Sequence, residues 1–305
     1  MDFPQERGSL RGLLEEHQAW LAKTGGRQAD LSSLTLNDHD LHGVNLSHAI
    51  MVGVTLLDAN LAGADLTGAK LERADLQRAN LAGADLTGAD LSGTQLGGAW
   101  LRQASLSETV IRGASFRRAK LDHSQMLDAT VSDSSFVDVT AESMNLHQAR
   151  FYEVDWSESD LSLAQFYHAR LQHCRLTDVT APGASFGGSK IDHCDFSRAK
   201  LEDVKFLRAE LIQCNFRNAN LRRADFREAR MRGGDFGRAV LEGARFGGAQ
   251  LTTADFRGAN LKGARELTGE QLMQSLTDNM TVLPNGSKGP YLRHSGAEKP
   301  QSSNS

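Results

Sequence analysis

The chain has 305 residues, with 34 Lys and Arg against 38 Asp and Glu, which gives a formal net charge of −4. This slightly acidic balance disfavours a protein that binds nucleic acid through its overall charge. No stretch approaches the roughly 18 consecutive apolar residues of a membrane span and no signal segment is evident, so we expect a cytoplasmic protein. The 3 Cys form no CxxC pair, which argues against a disulfide framework and a zinc module.

The first predicted element is a capping helix within residues 1–28. Apolar residues recur there with helical spacing, and Gly25 and Gly26 follow as a stop signal. The stack of repeats that follows would otherwise expose unpaired peptide groups at its end, so we expect the helix to cover it. Its predicted buried face consists of Leu10, Leu13, Leu14, His17, Trp20 and Leu21.

The second predicted element is a repeat array over residues 29–263. Every fifth residue from Leu31 to Leu261 is Leu, Phe, Ile, Met, Val or Trp, except Ala141 and Ala181. A small residue, usually Ala, stands two positions before each of these central residues. A period of five fits neither a single helix nor a single strand, so the chain must stack identical short units.

Four of these units make one coil, as the order of the central residues indicates. In steps of twenty, one column contains Phe196, Phe216, Phe236 and Phe256, and the column ten residues away contains Phe206 and Phe226. The columns between them are aliphatic. This pattern predicts two opposite aromatic walls and two opposite aliphatic walls around a filled interior.

The third predicted element is a C-terminal cap over residues 264–292. Thr268 and Gln271 have the spacing of a capping box, and Leu267 and Leu272 have that of a hydrophobic staple. We expect Leu272, Met273 and Leu276 to form the buried side of a short helix. The Ser-, Lys- and Pro-bearing segment 293–305 is predicted to be a disordered tail.

Segments such as "ANLAGADLTGAKLERADLQRANLAGADL" follow the pattern A-(D/N)-L-x-x, which resembles the pentapeptide-repeat family. The resemblance covers about residues 29–263 and implies an all-β fold. This fold is a right-handed quadrilateral parallel β-helix, a pentapeptide-repeat solenoid with short helical caps at both ends. The central residue and the residue two before it would point inward, and the other three would face solvent.

Two columns of chemically active residues invite a catalytic or metal-binding interpretation. Cys174, Cys194 and Cys214 are spaced by twenty and occupy inward slots, so we interpret them as reduced core thiols rather than a redox ladder. Glu153, His173 and His193 form an outward column, in which a divalent ion is the less favoured hypothesis. The sequence contains no catalytic triad, phosphate loop or dinucleotide motif, so we expect neither an enzyme nor a cofactor, metal or catalytic residue.

The candidate binding residues come from surface charge and one exposed aromatic residue. An acidic belt between Asp122 and Asp160 contains Arg150 as its only Lys or Arg. Arginines crowd between Arg217 and Arg232, where a phosphate-binding patch competes with a solvated, internally neutralised surface. The candidates are Asp133, Asp138, Glu153, Glu158, Trp100, Arg222, Arg223 and Arg227.

Three functions compete, and a non-enzymatic scaffold that binds a protein through its charged β-helix walls ranks first. The family resemblance implies the second, a DNA mimic that modulates type II topoisomerase (gyrase) and protects it against inhibitors or toxins. Against it stand the small net charge, the Arg-rich end and the lack of phase-breaking loops. Direct nucleic-acid binding through the Arg-rich coils ranks third. A protein partner is therefore expected, nucleic acid and membrane are not, and the chain would be a monomer or an end-to-end homodimer.

Overall fold

The computed structural model describes residues 9–300, which divide between two compact units, Met1–Ser135 and Phe136–Ser305. The first unit contains a helix and two short strands, and the second contains four short strands and a second helix. The elements in chain order are α1 (Leu10–Leu21), β1 (Val110–Arg112), β2 (Thr130–Ser132), β3 (Arg150–Tyr152), β4 (Arg170–Gln172), β5 (Lys190–Asp192), β6 (Glu210–Ile212) and α2 (Gly269–Met273).

Parallel pairing at a spacing of twenty residues builds the coils of both units. In the first unit, β1 pairs with β2 and Ile111 lies opposite Val131. In the second unit, β3 to β6 pair in sequence, with Leu171 opposite Ile191. Outside the strands, isolated parallel bridges such as Asn60↔Asn80 keep the same step. The prediction of a right-handed quadrilateral β-helix with four pentapeptides per coil is confirmed.

Backbone hydrogen bonds run from each coil to the next. Leu61 N–H donates to Asn80 O at 2.7 Å, and Asn80 N–H donates back to Ala59 O at 2.9 Å. The second residue after each central one turns the corner with a positive φ, as Arg78 does at 57°. Side chains at these corners therefore point outward, where they are available for recognition.

The Asp or Asn that precedes each central residue stabilises the corner that follows. Its carboxylate or amide oxygen accepts a hydrogen bond from the backbone N–H two residues later, as Asp65 does from Thr67 at 3.0 Å and Asn80 from Ala82 at 3.2 Å. Asp and Asn side chains favour such turns because their short oxygen reaches the local backbone. The D/N preference of the repeat thus has a structural cause that requires no charge.

Every central residue from Leu31 to Leu261 is buried, and so are the small-residue slots from Ala49 onward. In the second unit the predicted aromatic walls are present. Phe196, Phe216 and Phe236 stack with ring centroids 4.9 Å apart at each step. Phe216 also meets Phe206 of the opposite wall edge-to-face at 5.8 Å, so the two ladders fill the interior together.

Helix α1 caps the first coil mainly through one residue. Ser9 is its N-cap and accepts a hydrogen bond from Gly12 N–H at 3.2 Å. Of the predicted apolar face only His17 is fully buried, and the remaining members are half-buried. The Gln18 amide donates to Asn45 O at 3.3 Å, which satisfies one carbonyl at the open edge of the coil.

The C-terminal cap contains the predicted capping box. Thr268 N–H donates to Gln271 Oε1 at 2.7 Å, and Gln271 N–H donates to Thr268 Oγ1 at 3.2 Å. The Gln271 amide also donates to Phe246 O and Ala249 O, both at 2.9 Å. Leu267 and Leu272 are buried, as the staple predicts.

Two residues expected on the buried side of α2 are instead exposed. Met273 is 53% exposed and Leu276 is 50% exposed, so that part of the prediction is wrong. Helix α2 has only five residues and ends at Met273, which is too short to repeat an apolar side. Leu276 then bridges Asp255 in the outward-facing slot of the repeat.

The segment 293–300 also differs from the expectation of a disordered tail. Ala297 is 4% exposed and its carbonyl accepts a hydrogen bond from Asn285 N–H at 3.1 Å. The Tyr291 hydroxyl donates to Glu298 Oε2 at 3.0 Å, so these residues pack onto the cap. Residues 301–305 of the predicted tail, like residues 1–8, lie outside the described residues.

Candidate interaction surfaces

Trp100 is an exposed aromatic side chain on an outer wall of the first unit. It occupies the outward position before a central residue, bridges Asn80 and Lys120 in the coils on either side, and is 51% exposed. The Lys120 Nζ lies 4.9 Å from the centroid of the indole ring. This cation–π contact orders the ring while leaving much of it in solvent.

The acidic candidates all lie at corners with positive φ, and all are exposed. In the second unit, Asp138 and Glu158 follow each other at the same corner, one coil apart. Glu153 lies at the neighbouring corner, beside His173 of the next coil. Asp133 belongs to the first unit, where it has the same corner conformation as the other three.

The Glu153, His173 and His193 column lines a shallow groove in the second unit together with Asp155, Arg175 and Asp195. The two imidazoles stack with centroids 5.2 Å apart, and His193 Nδ1 lies 2.8 Å from Asp192 Oδ1. Within residues 9–300, no three His, Cys, Asp or Glu side chains are arranged to hold a metal ion.

The three cysteines are free, buried and stacked in one inward column of the second unit. Their thiols donate to backbone carbonyls, as Cys214 does to Ile191 O at 3.4 Å. Burial raises the pKa of the Cys214 thiol to about 12. The Cys174 thiol and burial raise the pKa of Cys194 well above its ordinary value, whereas the hydrogen bond with Cys194 lowers the pKa of Cys174. All three thiols are buried, which limits the access of a reagent to the column.

Five of the six arginines between Arg217 and Arg232 form an ion pair with a carboxylate of the second unit. Arg222 Nε lies 3.0 Å from Glu242 Oε2, while Arg223 forms a bidentate pair with Asp203 at 2.7 and 2.6 Å. Arg227 pairs with Asp225 of its own repeat at 2.8 and 2.6 Å. These contacts lower the pKa of Asp203 and Asp225 and raise that of Arg223 and Arg227. The pairing favours a solvated, internally neutralised surface over a phosphate-binding patch.

Two exposed residues of one coil were missing from the sequence-based candidates. Leu163 is 53% exposed, and Tyr167 on the same coil is 39% exposed. A Cβ on Gly183 would come within 2.9 Å of Leu163, and one on Gly187 within 2.9 Å of Tyr167. Glycines twenty residues later thus leave room for both side chains, and that spacing was the available signal.

These features define a repeat protein that is built as a β-helix and displays charged and aromatic side chains on its outer walls. Two family models, both described as Pentapeptide repeats, match the chain. The first matches eight segments between residues 27 and 233, and the second matches residues 216–260. The chain belongs to the pentapeptide-repeat family.

Comparison with solved structures gives further members of the same family. HetL, involved in heterocyst differentiation regulation in the cyanobacterium Nostoc, is 22% identical over 89% of this chain and 96% of its own, with a TM-score of 0.34. A thylakoid-lumen protein of Arabidopsis thaliana is 29% identical over 30% of this chain and 65% of its own, with a TM-score of 0.30. A trypsin-treated form of QnrB1, a plasmid-mediated fluoroquinolone resistance protein, is 17% identical over 62% of this chain and 90% of its own, with a TM-score of 0.29.

A comparison with curated proteins gives no significant match. Across residues 9–300, neither helix has the length and apolar character needed to cross a bilayer.

Proposed function

We propose that the chain is a non-enzymatic scaffold that binds a protein partner through the outer walls of its β-helix. The observation that carries this proposal is the set of large apolar side chains that stand exposed on otherwise polar walls. Its members are Trp100, Tyr152, Leu163 and Tyr167, which are 51%, 45%, 53% and 39% exposed. Trp and Tyr are the residue types most enriched at protein-binding hot spots.

The backbone that carries these side chains supports the proposal. Each outward residue is held by hydrogen bonds to the neighbouring coils, such as Trp100 N–H to Ala79 O at 2.9 Å. A rigid wall loses little conformational freedom when a partner binds, so more of the contact energy appears as affinity. The charged corners, including Glu153 and Glu158, would form the polar rim around such anchors.

Site-specific crosslinking tests the proposal at Trp100. A photoreactive phenylalanine analogue at position 100 should crosslink one protein in the cells that make the chain. The same analogue at Gln95, an exposed outward residue of the preceding pentapeptide, provides the matched control. No product specific to position 100, or equal products at both positions, would contradict the proposal for this wall.

The acidic candidates are tested by reversing their charge. Replacing Asp133, Asp138, Glu153 and Glu158 with Lys should abolish capture of the partner identified by crosslinking. Lys replacements at four exposed acidic corner residues of other coils, Asp38, Asp58, Glu108 and Glu266, would measure the effect of charge alone. Equal loss in both variants would assign the effect to net charge and remove the four candidates.

The second candidate function is a DNA mimic that modulates type II topoisomerase. It is supported by the acidity of the early repeats, where residues 29–148 contain 8 basic and 15 acidic side chains. The hydrogen bonds of Asp65, Asp75 and Asp85 to the backbone N–H two residues later give many of these carboxylates a structural role instead. The number of acidic side chains alone is therefore weak support for DNA mimicry.

Gyrase supercoiling measures this second function directly. A DNA mimic should inhibit supercoiling by the purified enzyme, and added salt should relieve the inhibition because the contact is electrostatic. The absence of any effect with the chain in large molar excess over gyrase would exclude this function. Direct nucleic-acid binding, the third class, requires free cations that the paired Arg222, Arg223 and Arg227 do not provide.

A further inference from the structure

One outward column of the second unit places three cationic side chains on successive coils. Arg150, Arg170 and Lys190 begin strands β3, β4 and β5 and lie directly opposite one another in the parallel register. All three are exposed. Like charges placed directly opposite on neighbouring strands repel, so this arrangement costs the fold free energy unless an anion lies against it.

On the side of this column that faces the Asn145 column, the same three coils contain no carboxylate. We define the basic patch as the outward positions of three successive coils between the Asn145 and Arg150 columns. Its members are Asn145, His147, Gln148, Arg150, Gln165, Tyr167, His168, Arg170, Ser185, Gly187, Gly188 and Lys190. With neutral histidines it has three positive charges and no negative ones, in a chain whose net charge is −4.

The patch also has a preformed aromatic edge. His147 packs edge-to-face against His168 with centroids 5.7 Å apart, and against Tyr167 at 6.5 Å. Tyr167 and His168 lie against Gly187 and Gly188 of the next coil, where a Cβ would come within 2.9 and 2.8 Å of them. The hydroxyl of Ser185 is buried there without a hydrogen-bond partner. Because Ser185, Gly187 and Gly188 are small, a shallow depression lies between the aromatic edge and the cations.

We propose that the basic patch binds an acidic α-helix of the protein partner, laid along the direction in which the coils stack. Side chains on one side of a helix recur about every 5.4 Å, close to the roughly 4.8 Å between coils. Carboxylates at i, i+3 and i+7 would then meet the three cations in order. Side chains on one face of a β-strand recur about every 6.6 Å, so they would not stay aligned with successive coils.

The length of the patch favours a short helix over a nucleic-acid strand. Three coils span about 10 Å, which is about two helical turns. In the next coil the cationic column ends at Glu210, which faces Lys190 across a 3.8 Å contact. On the other side of the column lie Glu153 and Asp192. A polyanionic strand that extended beyond the patch would meet these carboxylates.

Fluorescence anisotropy of the full chain with a labelled peptide tests the proposal. The probe is an alanine-based helical peptide of about fifteen residues with Glu at i, i+3 and i+7. A peptide of the same composition with its Glu residues dispersed around the helix, and an oligothymidylate, serve as comparisons. We expect the aligned peptide to bind most tightly and salt to weaken its binding.

Paired variants locate the site. Arg170→Gln with Lys190→Gln should weaken binding of the aligned peptide at least about tenfold, because two charge-assisted contacts are lost. Lys200→Gln with Arg238→Gln makes the same charge change at exposed positions outside the patch and should leave binding unchanged. Circular dichroism confirms that both variants retain the β-helix.

Several outcomes would overturn the proposal. They are no binding of the aligned peptide, equal binding of the two peptides, equal loss in both variants, or tighter binding of oligothymidylate, which would point to nucleic acid. The inference rests on the proposed scaffold function, but Trp100 lies in the other unit. Crosslinking at position 100 with no response at the basic patch would reject this inference alone.

Discussion

His17 Nδ1 accepts a hydrogen bond from the backbone N–H of Ala29 at 3.1 Å, which joins the capping helix to the first coil. The acceptor must be an unprotonated ring nitrogen, because a protonated imidazole has only donors. The His17 side chain is fully buried, and burial lowers its pKa below the ordinary value. The cap therefore depends on a neutral histidine.

We predict that the N-terminal cap loosens as the pH falls below about 6.5, the ordinary pKa of His. A His whose folded pKa is depressed stabilises the fold above the unfolded pKa and loses this contribution as pH falls towards the folded value. Trp20 reports on the cap because its ring stacks on His17 at 5.6 Å. The ¹⁹F resonance of fluorotryptophan at position 20 should shift between pH 7 and pH 5, whereas that of buried Trp156 should not. A His17→Gln variant that kept the same pH response would contradict the assignment.

The buried thiols provide a second prediction. Cys174, Cys194 and Cys214 should not react with a disulfide reagent at pH 8, because only the thiolate attacks and all three are buried. Full reactivity of all three should appear when the chain is unfolded in urea. Rapid reaction of any thiol in the folded chain would show that this column is reactive, contrary to its interpretation as core.

Removing one charge from the basic column should stabilise the fold. Arg170 lies between Arg150 and Lys190, so Arg170→Gln relieves repulsion on both sides. We expect the free energy of unfolding to rise by about 0.5 kcal/mol. Arg198→Gln is the matched control, because it breaks the bidentate pair with Asp178 and should not stabilise the chain. Urea unfolding at low ionic strength measures both, and a less stable Arg170→Gln variant would contradict the repulsion.

The aromatic ladder should respond strongly to a single truncation. Phe216 is completely buried and stacks on Phe196 and Phe236 at 4.9 Å. Phe216→Ala should lower the free energy of unfolding by about 4 kcal/mol, through lost burial and the cavity that remains. The exposed Gln213→Ala should change it by less than about 0.5 kcal/mol. A loss below about 1 kcal/mol for Phe216→Ala would show that the interior repacks.

The sequence predicted the coil accurately because each of its rules repeats in every unit. The period of five, the spacing of twenty and the alternation of Phe with aliphatic columns all correspond to buried central residues in the structure. The capping box at Thr268 was also predictable, since it is a local motif. Met273 and Leu276 were assigned incorrectly because the prediction assumed a longer helix, whereas α2 has five residues, ends at Met273 and does not reach Leu276.

The surface was harder to predict because pairing depends on which residues stack. Arg222 and Arg223 look alike in the sequence, but their partners Glu242 and Asp203 lie one coil ahead and one coil behind. The column of Arg150, Arg170 and Lys190 begins inside the acidic belt when the sequence is read linearly. Its three cations become neighbours only when the sequence is read in steps of twenty. Reading in this way produces many outward columns, and nothing in the sequence marks this one out.

The hydrogen bond from the corner N–H to the preceding Asp or Asn leaves one property of this fold free to vary. Asp65 and Asn80 perform the same turn-forming role, although only one of them is charged. Exchange of Asp for Asn at such a position changes the charge of a wall by one while the backbone conformation stays the same. Proteins of this architecture can thus acquire new partners by altering the charge along a wall, with little effect on whether the chain folds.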